Sequence, residues 1–150
     1  PSTIDEVVAA DAVVVGADKI GGAVVDYIER EGIPLVVVDF NPHIVQKLRQ
    51  RGVFVIYGDL SDPEILDNLQ LQSSRLVIST AAGIVDNQTL IEECKRRKSK
   101  ATIVVRATDN EHEKILKDMG ADYVILPERV SGDFLVSQLK GRWPNVTFGK

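Results

Sequence analysis

The stretch "VVVGADKIGG", Val13 to Gly22, decides the fold. Three valines without a polar interruption form a short run suited to a strand covered on both faces. A glycine-rich turn follows and leads into a helical pattern. Where such a turn cradles a pyrophosphate its frame is G-x-G-x-x-G, each glycine serving the tight turn, the phosphate approach or the helix packing. Here the frame is Gly16-Ala17-Asp18-Lys19-Ile20-Gly21. The two glycines that shape the turn are present, and an aspartate replaces the one that would approach phosphate.

The same alternation of run and helical stripe continues along the chain. Apolar runs occur at Ala12–Gly16, Leu35–Asp39, Val53–Tyr57, Leu76–Thr80, Thr102–Arg106 and Tyr123–Leu126. They are rich in valine and isoleucine and do not alternate with polar residues, as strands of a doubly covered parallel sheet do not. Between them lie helically spaced apolar sets: Ile20/Val24/Tyr27/Ile28, Ile44/Val45/Leu48, Ile65/Leu66/Leu69, Leu90/Ile91/Cys94 and Ile115/Leu116/Met119. Gly32, Gly52 and Gly120 stand as helix stops, and Asn41-Pro42, Ser61-Asp62-Pro63 and Asp109-Asn110 mark starts. Six repeats of strand and helix predict an α/β, doubly wound, six-stranded parallel sheet with helices on both faces. Right-handed crossovers and the first turn favour the Rossmann strand order 3-2-1-4-5-6. A flavodoxin-like or receiver fold is the competitor. A receiver needs clustered acids after its first strand and a lysine ending its fifth, whereas these runs end in Gly16 and Arg106.

Composition narrows the function. The 150 residues suit one domain, 44% hydrophobic and 27% charged, with a net charge of -4. An acidic balance speaks against nucleic acid as partner. The basic cluster Lys95, Arg96, Arg97, Lys98 and Lys100 falls at a helix end, where cations suit the dipole. The single cysteine, Cys94, excludes an internal disulfide framework and fits a buried position and a reducing compartment. His43 and His112 fall in different helices without a cysteine partner, so no metal site is expected. No apolar stretch is long enough to span a membrane, so direct insertion is not expected. The chain opens at Pro1, which points to processing or to a piece of something longer.

In such folds ligands sit outside the carboxyl ends of the strands. The runs deliver Gly16 to Gly21, Asp39, Gly58-Asp59, Ser79-Thr80-Ala81 and Arg106-Ala107 to that edge. Asp39 follows Gly16 by 23 residues, the interval of a carboxylate that bonds ribose hydroxyls and repels a 2′-phosphate. Alternatively it caps the next helix through Asn41-Pro42. Asp59 is placed either to accept from an adenine amine or to cap the helix near Pro63. Asp18 stands to repel phosphate, to share a cation with it, or to cap the helix that begins near Lys19. No substrate-side acid or base region and no G-x-S-x-G, P-loop or H-E-x-x-H motif is present, so no catalytic residues are assigned and a binding module is expected. A small NAD-dependent oxidoreductase lacking its substrate domain is the alternative.

Four stretches, "GADKIGGAVVDYIEREGIPLVVVDFNP", "RGVFVIYGDLSDPEIL", "LVISTAAGIVDNQTLI" and "VVRATDNEHEKILKDMGADYVILPERVSGDFLVSQL", carry a resemblance over Asp11 to Leu139. They resemble the RCK/KTN (TrkA-N) domains attached to potassium channels, Trk/Ktr uptake systems and Kef-type cation/proton antiporters. The "GADYVILP" ending is most similar to Kef-type tails. The resemblance implies a cytosolic regulatory domain that binds NAD(H) or AMP, ADP or ATP and gates a membrane transporter. It implies that Gly16, Asp18, Lys19, Ile20 and Gly21 face the phosphates and that Asp39 and Asp59 hold ribose and adenine. Phe40, Leu60 and Thr80 would line the pocket, and Arg106 would reach phosphate. It further implies a homo-oligomer, a dimer or larger, assembled through the crossover after the sixth strand. Phe134, Leu135 and Leu139 would form that surface or pack on their own sheet. Residues 1–10 are expected to be a linker, 11–140 the nucleotide-binding domain and 141–150 a tail.

Overall fold

The computed structural model describes residues 9–148; most of the expected linker and the last two tail residues lie outside them. Six strands follow the six runs: β1 Ala12–Val15, β2 Leu35–Asp39, β3 Phe54–Tyr57, β4 Leu76–Ser79, β5 Thr102–Arg106 and β6 Tyr123–Ile125. They form one parallel sheet of order β3-β2-β1-β4-β5-β6. Strand 1 is central, and the order reverses beside it between β1 and β4. The helices are α1 Lys19–Arg30, α2 Pro42–Gln50, α3 Pro63–Asn68, α4 Ile84–Arg96, α5 Asn110–Met119 and α6 Pro127–Leu139.

Alternate strand residues feed two cores. Ala12, Val14, Val37 and Val55 pack under α1 and α2 with Val25, Ile28, Val45 and Leu48. Val13, Val15, Val38, Ile56, Val77 and Val105 pack on the other face with Ile65, Leu90, Ile91 and Leu116 from α3, α4 and α5. A fully buried aliphatic side chain contributes roughly 1.5–3 kcal/mol, so both faces of this sheet are held by the valine-rich runs themselves.

The expected caps are in place. Asn41, Asp62 and Asp109 accept the amides of His43, Glu64 and His112 at 2.9, 3.0 and 2.8 Å. Gly32, Gly52 and Gly120 have positive φ at the helix ends. One stripe differs from its pattern. Helix α1 buries Gly21, Val25 and Ile28, whereas Tyr27 is 56% exposed and Ile20 and Val24 are only partly covered. Gly21 turns this face inward because its missing side chain lets the helix lie against the β1 turn. Helix α6 buries no residue, and Phe134, Leu135 and Val136 are about half exposed. None of them, nor the partly covered Leu139, belongs to either core cluster. Among the described residues no helix is long and apolar enough to cross a membrane.

Candidate nucleotide cleft

The carboxyl ends of β1 to β5 open into a cleft of about 620 Å³. Its lining includes Gly16, Asp18, Lys19 and Ile20 from the first turn and Asp39 and Phe40 after β2. Asp59 and Leu60 follow β3, Thr80 follows β4, and Arg106 ends β5. Ten of the eleven expected site residues are therefore brought to one place. Gly21 is the exception. It is buried behind the turn, where an added Cβ would overlap the Gly16 carbonyl oxygen. Its part is close packing of helix on strand, and it does not face the cleft.

The turn is held by its neighbours. Gly16 has a φ of +83°, which glycine adopts without penalty. The Thr80 hydroxyl donates to the Gly16 carbonyl at 2.9 Å, so this side chain braces the turn as well as lining the cleft. Asp39, 6% exposed, accepts the Ala17 amide at 2.7 Å and the Asn41 amide at 2.8 Å. The cap of α2 belongs to Asn41, so Asp39 is not the helix cap. A carboxylate has about four lone-pair sites. Two bonds leave Asp39 with acceptor capacity toward the cleft.

Asp18 occupies the N-cap position of α1, but its side chain makes no capping bond. The first-turn amides of α1 thus lack a side-chain partner, and helix N-termini of this kind attract anions. The capping reading of Asp18 is corrected: an exposed carboxylate stands on the rim of the cleft. Asp59 accepts the amide of Ser61 at 2.8 Å and also its hydroxyl, while Asp62 caps α3. The capping reading of Asp59 is corrected likewise. On the opposite wall the Nε of Arg106 is buried without a hydrogen-bond partner. A guanidinium N–H left this way fits an anion that completes it.

Ile44, Ala82, Gly83 and Asp86 also line the cleft without having been expected there. Asp86 lies in the first turn of α4 and reads in sequence as an ordinary helix-start acid. Burial, and secondarily the Asp59 carboxylate, raise its carboxyl above the ordinary value. Its place opposite Asp59 depends on how α4 docks, which no local pattern reports. The cleft so offers amides, a lysine and a guanidinium toward an anion, and carboxylates toward hydroxyl and amino groups. Among the described residues no three His, Cys, Asp or Glu side chains gather at metal-binding spacing. Cys94 is buried away from this edge, and burial pushes its thiol up to about 11.

The chain is similar to several known proteins. Ktr system potassium uptake protein C of Bacillus subtilis is 28% identical over 116 residues, covering 77% of this chain and 52% of that protein. The putative K(+) efflux antiporter KefB of Alkalimonas amylolytica is 26% identical over 125 residues, covering 83% of this chain and 19% of that protein. The chain thus spans about half the length of the first relative and a fifth of the second. In fold it is similar to the TrkA-N domain of the Escherichia coli inner membrane protein ybaL. That match has a TM-score of 0.81 and 22% identity, over 89% of this chain and 98% of that one. The GsuK channel bound to NAD has a TM-score of 0.71 and 24% identity, over 85% of this chain and 23% of that one. The Shewanella denitrificans Kef CTD in AMP bound form has a TM-score of 0.68 and 18% identity, over 89% and 82%. The TrkA-N domain model matches residues 12–127, from the first residue of β1 to the start of α6. With the sheet order and the glycine turn in place across that span, the chain belongs to the TrkA-N domain family.

Proposed function

We propose that this chain is the nucleotide-sensing regulatory domain of a membrane potassium channel or Kef-type cation/proton antiporter, held at the cytosolic face of the membrane. The ligand is an adenine nucleotide without a 2′-phosphate: NAD(H), or AMP, ADP or ATP. One observation carries the reading. The open first turn of α1, the acceptor capacity of Asp39 and the unpartnered Arg106 Nε converge on a single cleft. Asp39 takes the ribose hydroxyls and repels a 2′-phosphate. Asp59 retains an oxygen for the adenine amine. Lys19 and Arg106 offset the charge of the phosphates. The names of the similar proteins, an uptake protein, an antiporter and nucleotide-bound channel and Kef domains, support the same assignment.

Regulation follows from linkage: a ligand that binds two domain conformations unequally shifts their populations, and an attached pore follows. Residues 11–140 form the sensing unit in this reading, with the segments on either side connecting it to the transporter. The exposed apolar face of α6 supports assembly into a dimer or larger homo-oligomer. The domain regulates and does not catalyse. Calorimetry with AMP, ADP, NADH and NADPH tests the proposal. Binding of at least one of the first three, tighter than NADPH, is expected. No binding of any at about 1 mM ligand, an affinity of only about −4 kcal/mol, would refute it. Hydride transfer from NADH to carbonyl acceptors would instead favour the oxidoreductase alternative.

A further inference from the structure

The buried stripe of α4 runs Asn87, Leu90, Ile91, Cys94. Its first member is an amide at 0% exposure, where the three that follow are apolar. Asparagine is a weak helix former, and burying it costs free energy that a leucine would not. Its hydrogen bonds supply the reason. The Nδ2 group donates to the Ala81 carbonyl at 3.0 Å and to the Arg106 carbonyl at 2.9 Å. The β4–β5 ladder ends at the pair Ser79 and Val105. Past that pair, where both chains reach the cleft, the Asn87 amide ties them together. Asn87 Oδ1 has no partner, so these two donor bonds alone hold the amide in place.

We propose that Asn87 is the positioning residue that sets Arg106 for an anion in the cleft. By fixing the Arg106 carbonyl, the amide fixes the direction in which that side chain leaves β5. The guanidinium is thereby kept in the cleft wall, its buried Nε unpaired by protein. The proposal rests on the reading of the cleft as a phosphate-binding site. Asn87 itself touches no ligand.

ADP and adenosine differ only in the diphosphate, so they separate positioning of Arg106 from general damage. In calorimetry, Asn87→Ala is expected to weaken ADP by about tenfold and adenosine by less than about twofold. Arg106→Gln gives a similar loss, and the double variant loses little more, because both changes act through one group. Equal losses for ADP and adenosine, or additive losses in the double variant, would overturn the proposal. Asn87→Ser, which keeps one short donor, restores part of the ADP affinity and serves for the comparison where melts show Asn87→Ala unfolded. A second measurement needs no nucleotide. The Arg106 Nε–Hε NMR signal is expected to be ordered in the wild type and more mobile on the ps–ns scale in Asn87→Ser, which keeps at most one of the two donor bonds. Unchanged order would overturn the proposal. Mobility in the variant together with a wild type that binds no nucleotide would remove the phosphate reading and leave the positioning role standing.

Discussion

The Asp39 carboxylate accepts the Ala17 amide at 2.7 Å, joining the end of β2 to the turn that follows β1. The residue proposed to bond ribose therefore also holds in shape the turn proposed to face phosphate. Substitution reports both parts. Asp39→Ala leaves the Ala17 amide unpaired and is expected to cost about 1–3 kcal/mol of stability by denaturant unfolding. Asp39→Asn keeps an acceptor oxygen, costs less, and narrows the preference for NADH over NADPH. A wild type that binds NADPH more tightly than NADH would remove Asp39 from the ribose.

Asp18 bonds no amide of α1 and stands on the cleft rim. A carboxylate about 4 Å from a phosphate costs on the order of 1–4 kcal/mol, or roughly one to three decades of affinity. Asp18→Gly is therefore expected to tighten ADP or NADH by about tenfold or more in calorimetry. Its melting temperature should hardly change, since no capping bond is lost. Unaltered affinity in a variant that binds nucleotide would refute the repulsion.

Gly21→Ala forces a methyl group onto the Gly16 carbonyl. The expected loss is roughly 1–3 kcal/mol, measured by urea unfolding. Gly132→Ala is the control, because nothing lies within 4 Å of its added Cβ in α6. There alanine should be neutral or stabilising by about 0.5–1 kcal/mol. Equal effects at both glycines would contradict the packing described.

The Asp86 carboxyl is raised above its ordinary value by burial and then by Asp59. Its folded form holds a proton more readily than the unfolded chain. Stability from this group therefore falls as pH rises from the ordinary carboxylate value through the raised one, and returns on acidification. Asp86→Asn removes that loss. Its melting temperature should exceed the wild type's by roughly 1–3 °C at neutral pH. The two should converge near pH 3.5, below the ordinary aspartate value of about 3.9. A constant difference at both pH values would exclude the titration.

Phe134 and Leu135 on α6 are about half exposed and cover no core of their own chain. Light scattering at micromolar concentration is expected to give a multiple of 16.5 kDa for the wild type. Leu135→Glu should reduce it to the single-chain mass without destabilising the fold. A wild type of single-chain mass would leave this face without the assembly role proposed for it.

The amino-acid sequence by itself determined the sheet, because fully covered parallel strands leave uninterrupted valine-rich runs, and right-handed crossovers with the glycine turn after the first run pointed to its order. It also brought eight cleft residues to that edge, since strand ends recur at fixed positions in such a sheet, while Phe40 and Leu60 were expected there only from the family resemblance. Tertiary structure decided the rest. Gly21 left the cleft because its role is a contact with Gly16, and α1 turned a different face inward to make it. Asp86 and Asn87 entered the account through the docking of α4 on β4 and β5, a contact between segments distant in the chain. The apolar residues of α6 have helical spacing whichever surface they meet, so only the packed molecule shows that they lie outside both core clusters. Local patterns fix what each segment becomes, whereas the partners of a side chain depend on distant segments that only the folded chain brings together.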